Sequence, residues 1–299
     1  MNVNFGGIIA LSTVDWLGRA AMVVFLRGCP LRCPHCHNSQ LQAGESLVAF
    51  NDIASRIVSE VKGFRGSSRA KVGADPELSL SSGCLTPVAD VRLAPQTRQM
   101  ELDEATQRVS SKPFVDAFVL SGGEPLLQIE ASSRLFRLAR SLHLSTGLET
   151  SGCFPDRLAA ILATGLVDRV FLDIKTDLQE QDYEIATGKR NMAELVRQSL
   201  EVGFKSTVAL EVRSTVFPEM PSSSQLERIA ETLLRLKTVY PNNRLESMTL
   251  QQGQPRDGGD PFEPISVEVM NEIAEGCRSA SQGQLDIRVH AAPKITWKS

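Results

Sequence analysis

Three cysteines, Cys29, Cys33 and Cys36, stand at CxxxCxxC spacing on one short segment that directly follows an apolar run. Iron–sulfur clusters are held by cysteine thiolates, and three thiolates on one loop can bind three irons of a [4Fe-4S] cube. The fourth iron then has no protein ligand, and chemistry at a metal requires such an open position, whereas a structural site closes all of its positions. The spacing therefore predicts a catalytic iron–sulfur cluster.

A zinc site is the main alternative for these cysteines. Together with the adjacent His37 they could form a Cys₃His site, but zinc sites usually pair two well-separated knuckles, and the sequence contains no second CxxC. The remaining cysteines, Cys84, Cys153 and Cys277, have no partner spacing and are interpreted as structural or incidental. The spacing thus favours iron–sulfur ligation over zinc.

Charged residues, a threonine and a pair of glycines follow or end four of the predicted strands, at the edge where α/β barrels carry their active sites. Adjacent glycines let the backbone approach a ligand closely, alternate residues of a strand share one face, and a guanidinium suits a carboxylate. Taken alone, the same residues also suit a strand-to-helix turn and ion pairs at the rim. The residues are Gly122, Gly123 and Glu124, then Glu149 and Thr150, then Asp173 and Lys175, and finally Arg213.

Short apolar runs rich in Val, Ile and Phe alternate with helical patterns along the chain. This alternation predicts an α/β fold with a parallel sheet covered by helices, and six or seven such units predict a complete or partial TIM-type barrel. The predicted strands are Met22–Leu26, Phe114–Leu120, Leu144–Glu149, Arg169–Ile174, Ser206–Val216, Arg244–Leu250 and Leu285–Val289.

Two helices carry terminal signals. Apolar residues recur at helical spacing in Ser224–Tyr240, where Ser224 and Glu227 form a candidate capping box at the start. A second helix is predicted over Asn191–Val202, with Gly203 at the position of a C-cap glycine.

The composition is that of an ordinary globular protein, with 42% hydrophobic residues and a formal net charge of -3. This balance gives no reason to expect nucleic acid or an anionic membrane as a partner. No apolar run approaches the ~20 residues that span a bilayer, and the N-terminus lacks the pattern of a secretory signal. We therefore expect a cytoplasmic protein.

One long stretch interrupts the alternation. From residue 63 to residue 112 apolar periodicity is weak, and Ser, Arg, Gly and Pro are common. So long a connection is unusual inside a compact domain. We interpret 63–112 as an inserted flexible segment of unknown role, and 1–62 with 113–299 as the barrel domain.

These motifs together resemble the radical S-adenosylmethionine (radical SAM) superfamily, and within it the glycyl-radical-enzyme activating enzymes, particularly those of anaerobic ribonucleotide reductases. The resemblance covers most of the chain outside 63–112. It is carried by the cysteine segment with its trailing His37-Asn38, by Ser12-Thr13-Val14-Asp15-Trp16, by Ser121-Gly122-Gly123-Glu124-Pro125, by Glu149-Thr150-Ser151-Gly152, by Asp173-Ile174-Lys175 and by Arg213-Ser214-Thr215-Val216.

The resemblance implies a partial (β/α)6 radical SAM barrel with an irregular insertion, whose cofactors are a [4Fe-4S] cluster and S-adenosyl-L-methionine. It assigns the cluster to Cys29, Cys33 and Cys36. In some members, carboxylates at the positions of Glu149 and Asp173 bind a monovalent cation, which stays open for this chain. The residues that the resemblance places at the S-adenosylmethionine site are His35, Asn38, Gly122, Gly123, Glu124, Glu149, Thr150, Asp173, Lys175 and Arg213.

The activity implied is reductive cleavage of S-adenosylmethionine to a 5′-deoxyadenosyl radical. That radical would take a hydrogen atom from a glycine of a partner such as anaerobic ribonucleotide reductase. The electron would come from a flavodoxin- or ferredoxin-type donor. Two alternatives stay open: a radical SAM enzyme that modifies a small molecule, peptide or nucleoside, and a non-catalytic zinc or iron–sulfur binding module.

Overall fold

The computed structural model of the chain describes residues 1–63, 114–255 and 261–291. The predicted insertion, 63–112, lies outside the described residues except for its first residue. None of the described helices combines the length and the apolar character that a membrane-spanning helix needs.

Strands and helices alternate as the sequence predicts. All seven predicted strands are present within a few residues of their expected bounds, and two further strands, β1 and β3, precede the first helix. The strands are β1 (Asn2–Ser12), β2 (Ala21–Leu26), β3 (Leu47–Ala49), β4 (Ala117–Gly122), β5 (Ser145–Thr150), β6 (Arg169–Asp173), β7 (Ala209–Val216), β8 (Leu245–Gln252) and β9 (Ile287–His290). The helices are α1 (Phe50–Gly63), α2 (Ile129–Ser141), α3 (Pro155–Ala163), α4 (Glu180–Thr187), α5 (Met192–Lys205), α6 (Ser223–Val239) and α7 (Val267–Ala280).

The nine described strands form one sheet in the order β3-β1-β2-β4-β5-β6-β7-β8-β9. All neighbours from β2 to β9 pair in parallel, whereas β1 runs antiparallel to β2 and to β3. Each parallel strand from β2 to β8 is followed by at least one helix, which gives six βα units and a last strand, β9. Within the described residues β3 and β9 are the two ends of the sheet and do not pair with each other. The sheet therefore does not close into a complete barrel, and the predicted partial barrel is confirmed.

The sheet separates two apolar clusters. The larger one lies between the sheet and the helices and includes Met22 and Leu120, both fully buried. The smaller one lies on the opposite face and contains Trp16, Phe25, Phe171 and five other residues. Trp16 reaches this face from the loop after β1 and packs edge-on against Phe171, with ring centroids 5.5 Å apart. Because alternate residues of a strand face opposite sides, the same strands supply both clusters.

The helix-terminal predictions were wrong by a few residues. The capping box of α6 is made by Ser222 and Gln225, not by Ser224 and Glu227, because the N-cap lies two residues earlier than predicted. Gly203 does not cap α5, which continues to Lys205. A Cβ at Gly203 would lie 3.1 Å from the Leu210 side chain, so this glycine permits close packing of α5 against β7.

Candidate functional site

A cavity of about 790 Å³ opens at the carboxyl ends of the parallel strands. This is within the size range of ligand sites in proteins. Every predicted site residue except Glu124 lines it. The lining includes Cys29, Cys33, His35, Cys36, Asn38, Gly122, Gly123, Glu149, Thr150, Asp173, Lys175 and Arg213.

The cysteine segment leaves β2 and is fixed to its neighbours by backbone hydrogen bonds. The Gly28 N–H donates to the Leu41 carbonyl oxygen at 2.7 Å, and the Cys29 N–H donates to the Gln42 carbonyl oxygen at 3.1 Å. Gly28 has φ +95, a value that glycine adopts far more readily than other residues. The first cysteine is therefore placed by main-chain contacts before any ligand is bound.

The cysteine segment also touches the glycine turn after β4 at main-chain distance. The Gly123 N–H donates to the Leu26 carbonyl oxygen and the Glu124 N–H to the Gly28 carbonyl oxygen, each at 2.8 Å. A Cβ at Gly122 would lie 2.1 Å from the Leu26 oxygen, and one at Gly123 would lie 2.3 Å from the Gly28 oxygen. The two glycines are thus required for the two loops to meet.

Glu124 lies beneath this turn and does not line the cavity. Its fully buried carboxylate accepts hydrogen bonds from the Leu126 and Ser151 N–H groups and from the hydroxyls of Thr150 and Ser151, at 2.6–3.1 Å. Burial raises the pKa of Glu124, and the bonds from Ser151, Leu126 and Thr150 oppose that rise. This geometry joins the glycine turn to the end of β5, so Glu124 supports the site through the chain and does not face a ligand.

The three thiols lie close enough to affect one another electrostatically. Burial raises the pKa of Cys29 to about 11, and Glu124, Cys33 and Cys36 add to the rise. Burial also raises the pKa of Cys33, against the opposing charge of Lys175. Because metals bind the thiolate, ligation at these positions would release protons.

The donor set fits a cluster better than a single ion. Within 1–63, 114–255 and 261–291, no three His, Cys, Asp or Glu side chains are arranged to hold one metal ion. A cube requires no such convergence, since each thiolate binds a different iron. His37, the fourth ligand of the zinc alternative, places its Nε2 atom 3.0 Å from the Gln254 carbonyl oxygen.

Asp173 and Lys175 form an ion pair at the end of β6, with 3.1 Å between Lys175 Nζ and Asp173 Oδ2. Burial acts to lower the pKa of Lys175, but Asp173 and Cys33 outweigh it, and the pKa is raised. The Lys175 N–H also donates to the buried Tyr183 hydroxyl at 3.3 Å. Lys175 is therefore a fixed cation beside Cys33.

Arg213 is buried in a network that crosses the interior face of the barrel. It donates from Nη1 to Glu149 and from Nε to Glu211, each at 2.8 Å, and from Nη2 to the Asp15 carbonyl oxygen at 2.7 Å. Its guanidinium carbon lies 3.8 Å from the Phe171 ring centroid. Three of its five N–H donors are thus committed within the chain.

Glu211 was missed in the sequence, although it is buried and holds two arginines. Its second carboxylate oxygen lies 3.2 Å from Arg169 Nη1, and Arg169 in turn pairs with Glu246. A signal was present in Glu211-Val212-Arg213, because residues two apart in a strand share a face. Charges therefore alternate in sign from Glu246 through Arg169, Glu211 and Arg213 to Glu149.

Glu149 ends this network at the cavity. Burial raises its pKa to about 7, Arg213 opposes the rise, and Asp15 and Asp173 add to it. Asp15 lines the cavity as well, and although its segment was recognised in the sequence, no role was assigned to it.

Comparison with known proteins supports the resemblance to the radical SAM superfamily that the sequence motifs indicate. The model of the radical SAM superfamily matches residues 23–221, more than half of the chain. A Methanocaldococcus jannaschii protein named as a glycyl-radical enzyme activating enzyme is 23% identical over 92% of this chain and 90% of its own length. The (2S)-3-sulfopropanediol sulfolyase activating enzyme of Bilophila wadsworthia is 29% identical over 79% of this chain and 82% of its own length.

Solved structures share the fold. SuiB of Streptococcus suis, bound to the precursor peptide SuiA, matches 90% of this chain with a TM-score of 0.55 and 12% identity; the match spans 48% of SuiB. TYW1 with a lysine–pyruvate adduct matches 89% of this chain and 76% of its own length, with a TM-score of 0.52 and 11% identity. With its cysteine segment at the mouth of the barrel cavity, the chain belongs to the radical SAM superfamily.

Proposed function

We propose that this protein reductively cleaves S-adenosylmethionine and uses the product radical to activate a glycyl-radical enzyme. The observation that carries the proposal is the placement of Cys29, Cys33 and Cys36 beside a cavity lined by the predicted cofactor residues. Cys29, Cys33 and Cys36 would hold the [4Fe-4S] cluster, which when reduced would supply the one electron that cleavage of the S-adenosylmethionine sulfonium requires.

The chain holds the cofactor through backbone and charged groups. Gly122 and Gly123 line the cavity with main chain, so a cofactor ammonium can approach their carbonyl groups. Asp173 and Glu149 offer acceptors, and Lys175 a cation, on neighbouring strand ends. The two N–H donors of Arg213 that are not committed to the chain suit the cofactor carboxylate.

His35 and Asn38 complete the cavity wall on the cysteine segment. We assign His35 to the adenine end, because its flat aromatic ring lines the cavity next to Cys36. The barrel then excludes water from the radical and limits which hydrogen atom it can reach.

A glycine Cα–H of a partner polypeptide is the proposed hydrogen donor, and the products are 5′-deoxyadenosine and a glycyl radical. The names of the relatives favour this substrate over a small molecule. The open side of the barrel supports it, since β3 and β9 end the sheet in the described part of the chain. We place anaerobic ribonucleotide reductase first among partners, with a flavodoxin or ferredoxin as electron donor.

The test is anaerobic EPR spectroscopy of reconstituted, reduced protein mixed with S-adenosylmethionine and anaerobic ribonucleotide reductase, and separately with pyruvate formate-lyase. We expect a glycyl doublet on one partner, and no doublet when its target glycine is alanine or when this chain carries Cys33→Ala. Cofactor cleavage without a doublet on either partner would favour the alternative hypothesis, in which the substrate is a small molecule, a peptide or a nucleoside.

A further inference from the structure

The side-chain amide of Gln42 has a buried nitrogen without a hydrogen-bond partner. Within 1–63, 114–255 and 261–291, no group accepts a hydrogen bond from its Nε2 atom. Four other buried side-chain atoms of the described chain also lack a partner, and of these five residues only Gln42 lines the cavity. The other four atoms are Nε of Arg27, Arg169 and Arg197 and Oγ of Ser247. The unpaired amide therefore belongs to the site.

A buried amide without a partner destabilises the folded chain. It gives up its hydrogen bonds to water and gains none in return, whereas an apolar side chain of the same length avoids this loss. Nearly all buried polar groups in native proteins are paired for this reason. The amide of Gln42 is thus explained by a partner that comes from outside the chain.

Main-chain contacts place Gln42 beside the first cysteine. The Gln42 carbonyl oxygen accepts from the Cys29 N–H at 3.1 Å, and the Gln42 N–H donates to the Ser39 carbonyl oxygen at 3.1 Å. Gln42 directly follows a short 3-10 turn, Ser39–Leu41, whose last carbonyl oxygen accepts from the Gly28 N–H. The position of Gln42 in the cavity wall therefore does not depend on its side chain.

The same segment lies against the glycine turn after β4. A Cβ at Gly123 would lie 3.1 Å from the Leu41 carbonyl oxygen, the residue before Gln42. Gln42 thus enters the cavity wall close to Cys29 and close to the turn whose carbonyl groups are assigned above to the cofactor ammonium. This is the amino-acid end of the cofactor site.

A carboxamide is chemically suited to an amino-acid group. It offers two N–H donors and an acceptor oxygen, and it adds no charge. We propose that Gln42 binds the amino-acid end of S-adenosylmethionine, with its Nε2 atom as a donor to the carboxylate. The proposal rests on the proposed function, which supplies this cofactor. A carboxylate has about four acceptor sites, so it can take Gln42 as well as Arg213, which approaches from β7.

The test replaces Gln42 by methionine, which has a similar length and no amide. An oxidised, reconstituted cluster has no electron to give, so the affinity for intact S-adenosylmethionine can be measured by calorimetry without oxygen. We expect about tenfold to hundredfold weaker binding by Gln42→Met, because a hydrogen bond to a charged group is lost. Methylthioadenosine, which lacks the amino-acid end, should bind wild type and variant equally.

Gln40→Met is the matched control, because Gln40 is an exposed glutamine of the same segment and does not line the cavity. It should bind S-adenosylmethionine as the wild type does.

A second measurement, urea denaturation of the metal-free full chain, separates binding from a structural role. Gln42→Met removes an unpaired buried amide, so the variant should be as stable as the wild type or more stable. A clear loss of stability, or failure to fold, would show that the amide has a partner within the chain and would overturn the proposal.

Three binding results would also overturn it. Equal affinity of wild type and Gln42→Met for S-adenosylmethionine would leave only water as the partner of the amide. An equal loss for methylthioadenosine would exclude the amino-acid end. A shifted midpoint potential of the cluster in the absence of S-adenosylmethionine would assign the amide to a cluster sulfur. Failure of the wild-type holoprotein to bind S-adenosylmethionine would instead refute the proposed function itself.

Discussion

Glu149→Gln should change how the stability of the protein depends on pH. Burial, with Asp15 and Asp173, raises the pKa of Glu149 from 4.5 to about 7 despite Arg213. The unfolded carboxyl therefore loses its proton at lower pH than the folded one. Below pH 4.5 the Glu149 carboxyl is protonated in both the folded and the unfolded state, and its contribution to stability is fully present. As the pH rises, the unfolded carboxyl ionises first, so the stability decreases until the pH has passed through the folded pKa of about 7.

The size of the effect follows from these two pKa values. Between about pH 5 and about pH 8, Glu149 should lower the free energy of unfolding by about 2–3 kcal/mol. The glutamine side chain of the variant cannot ionise, so the variant should lack this decrease. The assay is urea denaturation of the full chain, before reconstitution and without oxygen, at several pH values for wild type and variant.

Glu130→Gln provides the matched control, because Glu130 is exposed on α2 and only forms an i,i+4 pair with Arg134. Its stability profile should run parallel to that of the wild type. If the Glu149→Gln profile also runs parallel to the wild type, then burial does not dominate the charge state of Glu149, and our reading of the Arg213 network is wrong.

Three other substitutions test separate contacts. Gly123→Ala places a Cβ 2.3 Å from the Gly28 oxygen and should abolish cluster assembly, measured as iron content, whereas Gly63→Ala meets nothing within 4 Å and should assemble normally. Glu211→Leu leaves Arg213 and Arg169 buried without their shared partner and should cost about 3–5 kcal/mol in urea denaturation, with Glu201→Leu on the exposed face of α5 as control. Lys175→Met removes a cation beside Cys33 that is proposed to contact the cofactor. Calorimetry should show that S-adenosylmethionine binds at least tenfold more weakly, with little change in the stability of the protein. Equal binding by wild type and variant would contradict the role of Lys175 at the cofactor.

The sequence allowed the parallel strands and the cysteine segment to be predicted because both depend on local patterns. Short buried strands between helices show as apolar runs, and the cysteine spacing needs only eight residues of chain. The antiparallel strand β1 was missed, because its burial is uneven and Gly6-Gly7 interrupts its pattern. The N-cap position shifted because three consecutive serines, Ser222, Ser223 and Ser224, lie where α6 begins, and each of them is an acceptable N-cap residue type.

Side-chain roles were harder to predict than positions. Glu124 could be located after β4, but its direction depends on Thr150 and Ser151, which arrive from another strand. Arg213 was expected at the cavity and lies there, yet its main partners are Glu149 and Glu211. Such contacts are set by strand order and register, which a pattern of single residues does not contain.

The most direct test of the central claim is 5′-deoxyadenosine production by reconstituted, reduced protein supplied with S-adenosylmethionine in the absence of oxygen. We predict product from the wild type and none from Cys33→Ala, which removes one of the three thiolates beside the cavity. A wild-type protein that assembles its cluster, accepts an electron and yet forms no 5′-deoxyadenosine would contradict the account and favour a non-catalytic iron–sulfur module.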